Sequence, residues 1–247
     1  MKSTSVFFVG WFFFCLKMKE LYLQLSNGKH VYVYMNIGKN GRHGIGFTKY
    51  HRSCLVVRIH EGVLYIEGLS TRRRDQVLKN PLGLPRHGKH LREWLYIAEA
   101  YANYHGIPEI RLYDAANVYV ENRYYFLSCC TLLRDNQFLY EKYGFQAPEC
   151  SDVRNLLQKT CPSDIPCNDL ILRNVLRRST SWPEVYARLV RQNRPFLCEE
   201  LFESLGFQIK DLQFWYTKSV GPCPVQIEKT VDISLPWYHS DRWMDVD

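Results

Sequence analysis

The stretch that most restricts the possible folds lies near the N-terminus, where two alternating apolar runs flank an Asn-Gly pair. Residues 21–25 read LYLQL and residues 30–35 read HVYVYM, with Ser26-Asn27-Gly28-Lys29 between them. Alternation with a period of two is typical of a strand with one buried face, and Asn-Gly accepts the positive φ angles of a tight hairpin turn. The sequence therefore predicts an antiparallel β-hairpin at the start of the domain.

More strand signals follow this hairpin. Residues 36–53 are rich in turn formers, and the GRHGIG segment at 41–46 within them is interpreted as a hairpin loop. Residues 54–59 (CLVVRI) and 63–69 (VLYIEGL) are apolar runs separated by His60-Glu61-Gly62. We expect these two runs to form strands that pair across that turn, which gives four strands in the first part of the chain.

The hydrophobic period changes after residue 88. Residues 89–105 place apolar side chains at helical spacing, and Gly106 follows as a helix cap, which predicts an amphipathic helix; the apolar positions are Leu91, Trp94, Leu95, Ala98, Tyr101 and Ala102. A strand is predicted at residues 109–113 and a second helix at about 132–143. The segment LYEKYGFQ at 139–146 is interpreted as the end of that helix, with Gly144 as its left-handed cap and a closing strand from Phe145.

This order of elements predicts an α+β fold with a mixed, mostly antiparallel sheet flanked by helices. Beyond Glu149 the composition shifts toward helix formers separated by prolines, with four short helical segments at 152–160, 168–178, 183–192 and 198–205. We therefore divide the chain into a hydrophobic leader (1–20), an α+β domain (21–149) and a mainly helical C-terminal appendage (150–247).

The leader contains an apolar run of eleven residues from Val6 to Leu16. This run is shorter than the roughly 20 residues of a bilayer-spanning helix, and no small-x-small cleavage motif follows it. We expect no stable membrane span. The leader is then a dispensable segment before a start at Met18, a packed N-terminal element, or a secretory signal, in that order of preference.

Charge and cysteine content restrict the partners and the compartment. The net charge of +7 favours an anionic partner, which could be a nucleic acid, a membrane surface or a phosphate-bearing cofactor. The nine cysteines form no CxxC pair and are too sparse for a disulfide framework, so reduced thiols in a cytoplasmic protein are expected. A zinc site built from Cys150, Cys161, Cys167 and a histidine has no supporting spacing, and we predict no metal.

Four segments together resemble the GNAT superfamily of N-acetyltransferases. They are the strand VLYIEGL, the helix REWLYIAEAYANYHGI, the strand PEIRLYDAANV and the segment LYEKYGF, within residues 60–145. The resemblance implies a GNAT-like sheet and binding of acetyl-coenzyme A. It also implies transfer of the acetyl group to an amine of a protein or a small molecule.

The resemblance further implies that the loop before the helix holds the coenzyme A pyrophosphate through backbone N–H groups and the helix N-terminus. It assigns this role to Arg86, His87, Gly88, Lys89, His90 and Leu91. The loop departs from the family pattern, because Lys89 and Leu91 occupy positions where the family has glycines. Basic side chains in the loop could replace the lost backbone donors, and the alternative is a solvated basic loop.

Two asparagines and two candidate catalytic residues complete the implied site. Asn117 and Asn136 lie near positions where the family often contacts the cofactor, although Arg134 occupies the usual spacing from Tyr140. Tyr140 corresponds to the tyrosine that protonates the leaving thiolate, and Glu67 to a carboxylate that some members use as base. The alternatives are a packed aromatic ring for Tyr140 and an ordinary exposed strand carboxylate for Glu67.

Two other functions are kept open. The first is a GNAT-like fold without catalysis, a scaffold whose C-terminal region binds a protein partner. The second is a nucleic-acid-binding protein that uses basic side chains interleaved with aromatic ones. The basic residues considered for this role are Arg72, Arg73, Arg74, Arg177, Arg178, Arg188, Arg191 and Arg194.

Overall fold

The structure is a computed structural model that describes residues 17–25, 27–46, 55–69, 89–114, 116–120, 123–147 and 151–233. Its fold is α+β, as predicted, with a mixed and mostly antiparallel sheet of eight strands. Residues 1–16 of the predicted leader lie outside the described residues.

The strands and helices have the following bounds in chain order. The strands are β1 (Lys17–Leu25), β2 (His30–Ile37), β3 (Arg42–Gly46), β4 (Leu55–His60), β5 (Val63–Leu69), β6 (Glu109–Tyr113), β7 (Asn117–Val120), β8 (Arg123–Phe126), β9 (Trp215–Ser219) and β10 (Val225–Ile233). The helices are α1 (Lys89–Tyr104), α2 (Leu127–Asp135), α3 (Ser151–Lys159), α4 (Leu170–Arg177), α5 (Trp182–Arg191) and α6 (Leu197–Ser204). The main sheet has the order β10-β1-β2-β3-β4-β5-β6-β9, and β7 pairs with β8 separately.

The N-terminal hairpin is confirmed. β1 and β2 are antiparallel, and the turn between them is closed by a hydrogen bond from the Leu25 N–H to the Lys29 carbonyl at 2.9 Å. Gly28 has a φ of 78°, which explains the glycine at this position. β1 begins at Lys17, so residues 17–20 belong to the sheet and the predicted boundary at residue 20 is too late.

The GRHGIG segment is a strand rather than a loop. Arg42–Gly46 forms β3, which pairs with β2 on one side and with β4 on the other. Its buried Ile45 is the apolar side chain that anchors it to the core. The two glycines Gly44 and Gly46 hid this strand from a prediction based on propensity, because glycine is depleted in strands.

The predicted helix 89–105 and the two strands around it are confirmed. α1 lies on one face of the sheet, and its side chains Trp94, Leu95, Ala98 and Tyr101 are buried there. β5 and β6 are parallel neighbours, and they are joined through α1. A crossover of this kind places the N-terminus of α1 at the carboxyl ends of both strands.

The predicted helix 132–143 and the strand from Phe145 are both wrong. α2 ends at Asp135, where Asn136 takes a left-handed conformation, and only a 3-10 turn forms at Glu141–Tyr143. A left-handed residue ends an α-helix, and the buried residues Phe138, Leu139 and Tyr140 follow this break rather than continuing the helix. Gln146 makes a single bridge to Thr217 instead of starting a strand.

The region after residue 150 is not a separate helical appendage. Its four predicted helices are present as α3 to α6, but β9 and β10 also come from this region. β9 pairs with β6 and β10 pairs with β1, so the C-terminal region supplies both edges of the described sheet. The division at residue 150 therefore does not correspond to a boundary in the sheet.

Gly144 caps the 3-10 turn in the left-handed region, with a φ of 82°. A Cβ at this position would also touch Cε and Nζ of Lys218 at 3.5 Å. We expect Gly144→Ala to lower the free energy of unfolding by about 1 kcal/mol, because a left-handed conformation strains any residue with a Cβ. Urea denaturation measures the change.

Gly221→Ala is the matched control for this prediction. Gly221 has no positive φ, and a Cβ there would meet nothing within 4 Å. This control should leave the free energy of unfolding unchanged or raise it by up to about 1 kcal/mol, because alanine restricts the unfolded chain more than glycine does. Equal losses in the two variants would show that Gly144 is not required for its backbone conformation.

Candidate basic site at the start of helix α1

The carboxyl ends of β5 and β6 and the first turn of α1 define one end of the sheet. The pairing of β5 with β6 runs from Val63 and Glu109 to Ile66 and Leu112. Open α/β arrangements bind ligands outside the carboxyl ends of parallel strands, and a helix N-terminus there favours anions. An anionic ligand is therefore expected at this end of the sheet.

Three cationic side chains from three different elements lie near one another, and one of them belongs to the first turn of this helix. Arg92 in the first turn of α1 has its guanidinium carbon 6.0 Å from the centroid of the Tyr143 ring, and Lys142 has its amine nitrogen 5.2 Å from the same centroid. Arg134, in the last turn of α2, is the third. We name these three side chains the basic cluster: Arg92 and Lys142 lie beside the Tyr143 ring, and the guanidinium carbon of Arg134 lies 5.8 Å from the centroid of the Tyr186 ring.

Electrostatics within the basic cluster favour an anion. Burial lowers the pKa of the Lys142 amine, and the charges of Arg134 and Arg92 lower it further, although Asp135 acts in the opposite direction. Arg134 bonds Asp135 through both carboxylate oxygens, at 2.8 Å from Nε and 2.5 Å from Nη2. Three cations facing one carboxylate leave a positive excess, which a phosphate group would neutralise.

The structure describes only part of the predicted cofactor loop. Arg86, His87 and Gly88 lie outside the described residues. Lys89 and His90 are the first two residues of α1, in agreement with a helix start at this point. Leu91 is partly buried against the hydrophobic core and therefore contributes to packing.

The two predicted asparagines occupy different places. Asn117 begins β7, opposite Phe126 of β8. Asn136 is exposed and forms the left-handed cap of α2, with its N–H bonded to the Leu132 carbonyl at 2.9 Å. The left-handed conformation explains the asparagine at position 136, because asparagine tolerates this region better than most residues.

Tyr140 is buried, with 5% of its surface exposed. Its ring packs edge-to-face against Tyr216, at a centroid distance of 5.3 Å, and against Phe145 at 6.3 Å. Burial raises the pKa of its hydroxyl, and the nearby charge of Asp114 raises it further. The hydroxyl is therefore protonated at neutral pH and able to donate a hydrogen bond.

Asp114 is a buried carboxyl group beside this tyrosine. It accepts hydrogen bonds from the Ser128 hydroxyl and from the Ala116 N–H, the latter at 3.0 Å. Burial raises the pKa of the Asp114 carboxyl, and these two hydrogen bonds oppose the change. Asp114 ties the end of β6 to the first turn of α2, where the helix dipole also favours a carboxylate.

Glu67 forms ion pairs with two arginines. Its Oε2 lies 2.6 Å from Nε of Arg42, and its Oε1 lies 2.8 Å from Nε of Arg58. It sits at a register shift, because Val56 pairs with Gly68 while Val57 pairs with Ile66. Both carboxylate oxygens are occupied, which argues against the predicted role of Glu67 as the base.

The residues considered for nucleic-acid binding do not form one group. Arg72, Arg73 and Arg74 lie outside the described residues. Arg188 bonds Glu184 one turn earlier in α5, at 2.7 Å. Arg177, Arg178, Arg191 and Arg194 are exposed on the C-terminal helices.

Sequence reasoning missed the basic cluster. Arg92 lies between predicted core residues, and Lys142 lies within the segment 139–146 that was interpreted as the end of a helix. A usable signal was present: Arg92 lies three residues after Lys89, on the same side of the first helical turn. Nothing in the spacing indicated that α1, α2 and the 3-10 turn meet.

The fold and this site define an α+β protein with a cluster of cationic side chains beside a parallel strand pair. No protein-family model, curated protein or solved structure matches the chain. Among the helices of the described ranges, none has the length and apolar character needed to cross a membrane. Within those ranges no three His, Cys, Asp or Glu side chains converge as metal ligands, and Cys150 lies outside them.

Proposed function

We propose that the protein binds acetyl-coenzyme A through the start of α1 and acts as a GNAT-like N-acetyltransferase on an amine of a protein or a small molecule. The observation that carries this proposal is the basic cluster at the carboxyl ends of the parallel strands. The phosphate groups of coenzyme A are anionic and would pair with the cationic side chains of such a cluster. An amphipathic helix in a crossover between parallel strands agrees with the GNAT resemblance.

The proposal assigns the following roles to residues of the chain. Arg92, Arg134 and Lys142 hold phosphate groups, together with the N-terminus of α1. Acetyl-coenzyme A supplies the thioester that is to be cleaved. The protonated hydroxyl of Tyr140 is the proposed donor to the departing thiolate, while deprotonation of the amine has no assigned residue once Glu67 is paired with arginines.

Binding without catalysis is the second candidate function. The burial of Tyr140 and the two ion pairs of Glu67 favour it, because both predicted catalytic groups have structural partners. In that case the protein is a cofactor-binding scaffold.

The six cysteines that the structure describes as thiols agree with the proposed cytoplasmic location.

Removing two members of the basic cluster tests the proposal. We expect Arg92→Ala combined with Lys142→Ala to weaken acetyl-coenzyme A binding by about 1 to 3 kcal/mol, the range for charge-assisted hydrogen bonds. Isothermal titration calorimetry measures this loss. The reason is that the charged groups of both side chains lie within about 6 Å of the centroid of the Tyr143 ring.

Arg191→Ala combined with Arg194→Ala is the matched control, with the same change of net charge at exposed positions of the C-terminal region. This control should bind the cofactor as the wild type does. Absence of binding by the wild type at millimolar cofactor would overturn the proposal. Equal losses in the two double variants would show only a general effect of charge.

A further inference from the structure

The face of the main sheet that points away from α1 carries a row of side chains across five strands. In the strand register, Arg42 of β3 lies opposite Arg58 of β4, Arg58 opposite Tyr65 of β5, Tyr65 opposite Arg111 of β6, and Arg111 opposite Thr217 of β9. The flanking residues Leu64, Ile66, Ile110 and Leu112 are buried on the α1 side. Alternation therefore directs this row to the opposite face, which we call the outer face.

Three aromatic rings form a cluster on the outer face. Tyr65 packs edge-to-face on Trp215 at a centroid distance of 5.8 Å, and Tyr113 lies 5.5 Å from the same indole. Trp215 is 49% exposed and Tyr113 is 42% exposed. Large aromatic side chains that remain half exposed are available to stack on a ligand.

Three arginines lie in the same row of side chains as this aromatic cluster. Their side chains are 57%, 43% and 41% exposed, for Arg42, Arg58 and Arg111 respectively. Arg58 also lies over the Tyr65 ring, with its guanidinium carbon 6.0 Å from the centroid. Guanidinium groups beside exposed rings combine phosphate binding with stacking.

Two carboxylates hold these arginines in position without cancelling their charge. Arg42 and Arg58 are directly opposite each other, a like-charge pair that would be unfavourable, and Glu67 bridges them. Glu109 bonds Nε of Arg111. Three guanidinium groups against two carboxylates leave this row of side chains positive, in a chain whose net charge is +7.

We propose that the outer face binds single-stranded nucleic acid, with bases stacked on Trp215 and Tyr113 and phosphates on Arg58 and Arg111. Exposed rings accept any base, because every base has a π-face. A duplex is a poorer ligand, because its bases are stacked inside and a broad sheet does not fit its grooves. This site is separate from the basic cluster, so it does not depend on the proposed transferase function.

The test is fluorescence anisotropy with labelled single-stranded DNA and RNA of about 12 nucleotides, within the site sizes of comparable binding surfaces. The wild type should bind with a dissociation constant below about 100 µM at low salt, and salt should weaken the binding. Trp215→Ala and Arg111→Gln should each weaken it by about tenfold, as for the loss of one stacked base or phosphate contact.

Two control variants make the same kinds of substitution at positions away from the outer face. Tyr104→Ala removes a ring that is 45% exposed on α1, and Arg191→Gln removes an exposed charge on α5. Both should bind as the wild type does. Arg111→Gln keeps the test valid if Trp215→Ala fails to fold, and thermal denaturation identifies that case.

Several outcomes would overturn the proposal. One is the absence of binding by the folded wild type up to about 100 µM oligonucleotide at low salt. Another is an equal loss of affinity in the controls and in the outer-face variants. Equal affinity for a duplex of the same sequence, or full competition by polyglutamate, would indicate a general acidic ligand instead.

Discussion

Lys218→Met is expected to lower the free energy of unfolding by about 3 kcal/mol or more, the usual loss when one partner of a buried ion pair is removed. The Lys218 amine lies 2.6 Å from Oε1 of Glu99 and donates to the Tyr143 carbonyl at 2.8 Å. Glu99 is only 4% exposed. Without Lys218 its charge would remain buried and uncompensated, which is the physical reason for the large loss.

This ion pair joins distant parts of the chain. Lys218 is in β9, Glu99 is in α1, and Tyr143 belongs to the 3-10 turn beside the basic cluster. Chemical denaturation of Lys218→Met, Glu99→Leu and the double variant forms a cycle that isolates the pair. The double variant should be more stable than Lys218→Met alone, because it removes the unpaired charge. Additive losses in the cycle would contradict a direct interaction.

Tyr140→Ala is the second substitution with a large expected effect. Deleting a buried aromatic ring costs about 3 to 5 kcal/mol, and Tyr140 packs on Tyr216 and Phe145 in the core. The variant should show this loss in chemical denaturation. A loss well below this range would mean that the Tyr140 ring is not packed as the structure shows.

Tyr140→Phe separates packing from chemistry at the same position. It retains the ring and removes the hydroxyl, so stability should change by no more than about 1 kcal/mol, the net contribution of a typical hydrogen bond. If the hydroxyl protonates the leaving thiolate, turnover should fall by roughly 100-fold. Measuring acetyl transfer and unfolding on this one variant decides the matter, and unchanged turnover would leave Tyr140 as a core residue.

The elements predicted correctly are those with strong local periodicity. The Asn-Gly hairpin, the pair β4 and β5, and the helix α1 follow from alternation, turn residues and a helical apolar stripe. Each pattern is complete within fewer than twenty residues. Contacts between sequence neighbours determine the type of each element, and packing against the rest of the fold stabilises it.

The C-terminal strands could not be predicted in the same way. β9 covers one edge of the sheet and β10 the other, and their partners β6 and β1 are distant in sequence. The β10 sequence VQIEKTVDI contains four charged or amide side chains among its nine residues. Such a strand is stabilised by pairing with β1 rather than by its own propensity.

The candidate site was predicted only in part, for the same reason. The position of the helix start at Lys89 followed from periodicity, and the sequence also indicated Tyr140 and Glu67 through the GNAT resemblance. The arginines that neutralise Glu67 come from β3 and β4, and the basic cluster combines α1, α2 and a 3-10 turn. Convergence of separate elements depends on tertiary packing, which spacing within one segment does not reveal.

The most direct test of the central claim is a thermal-shift titration of the wild type with acetyl-coenzyme A. S-acetylpantetheine, which lacks the phosphate groups, and ATP, which lacks the thioester arm, serve as comparison ligands. We predict a shift with acetyl-coenzyme A that grows with concentration and exceeds the shifts with both comparison ligands, since only a ligand that binds the folded state stabilises it. No shift at millimolar acetyl-coenzyme A, or an equal shift with ATP, would contradict the account.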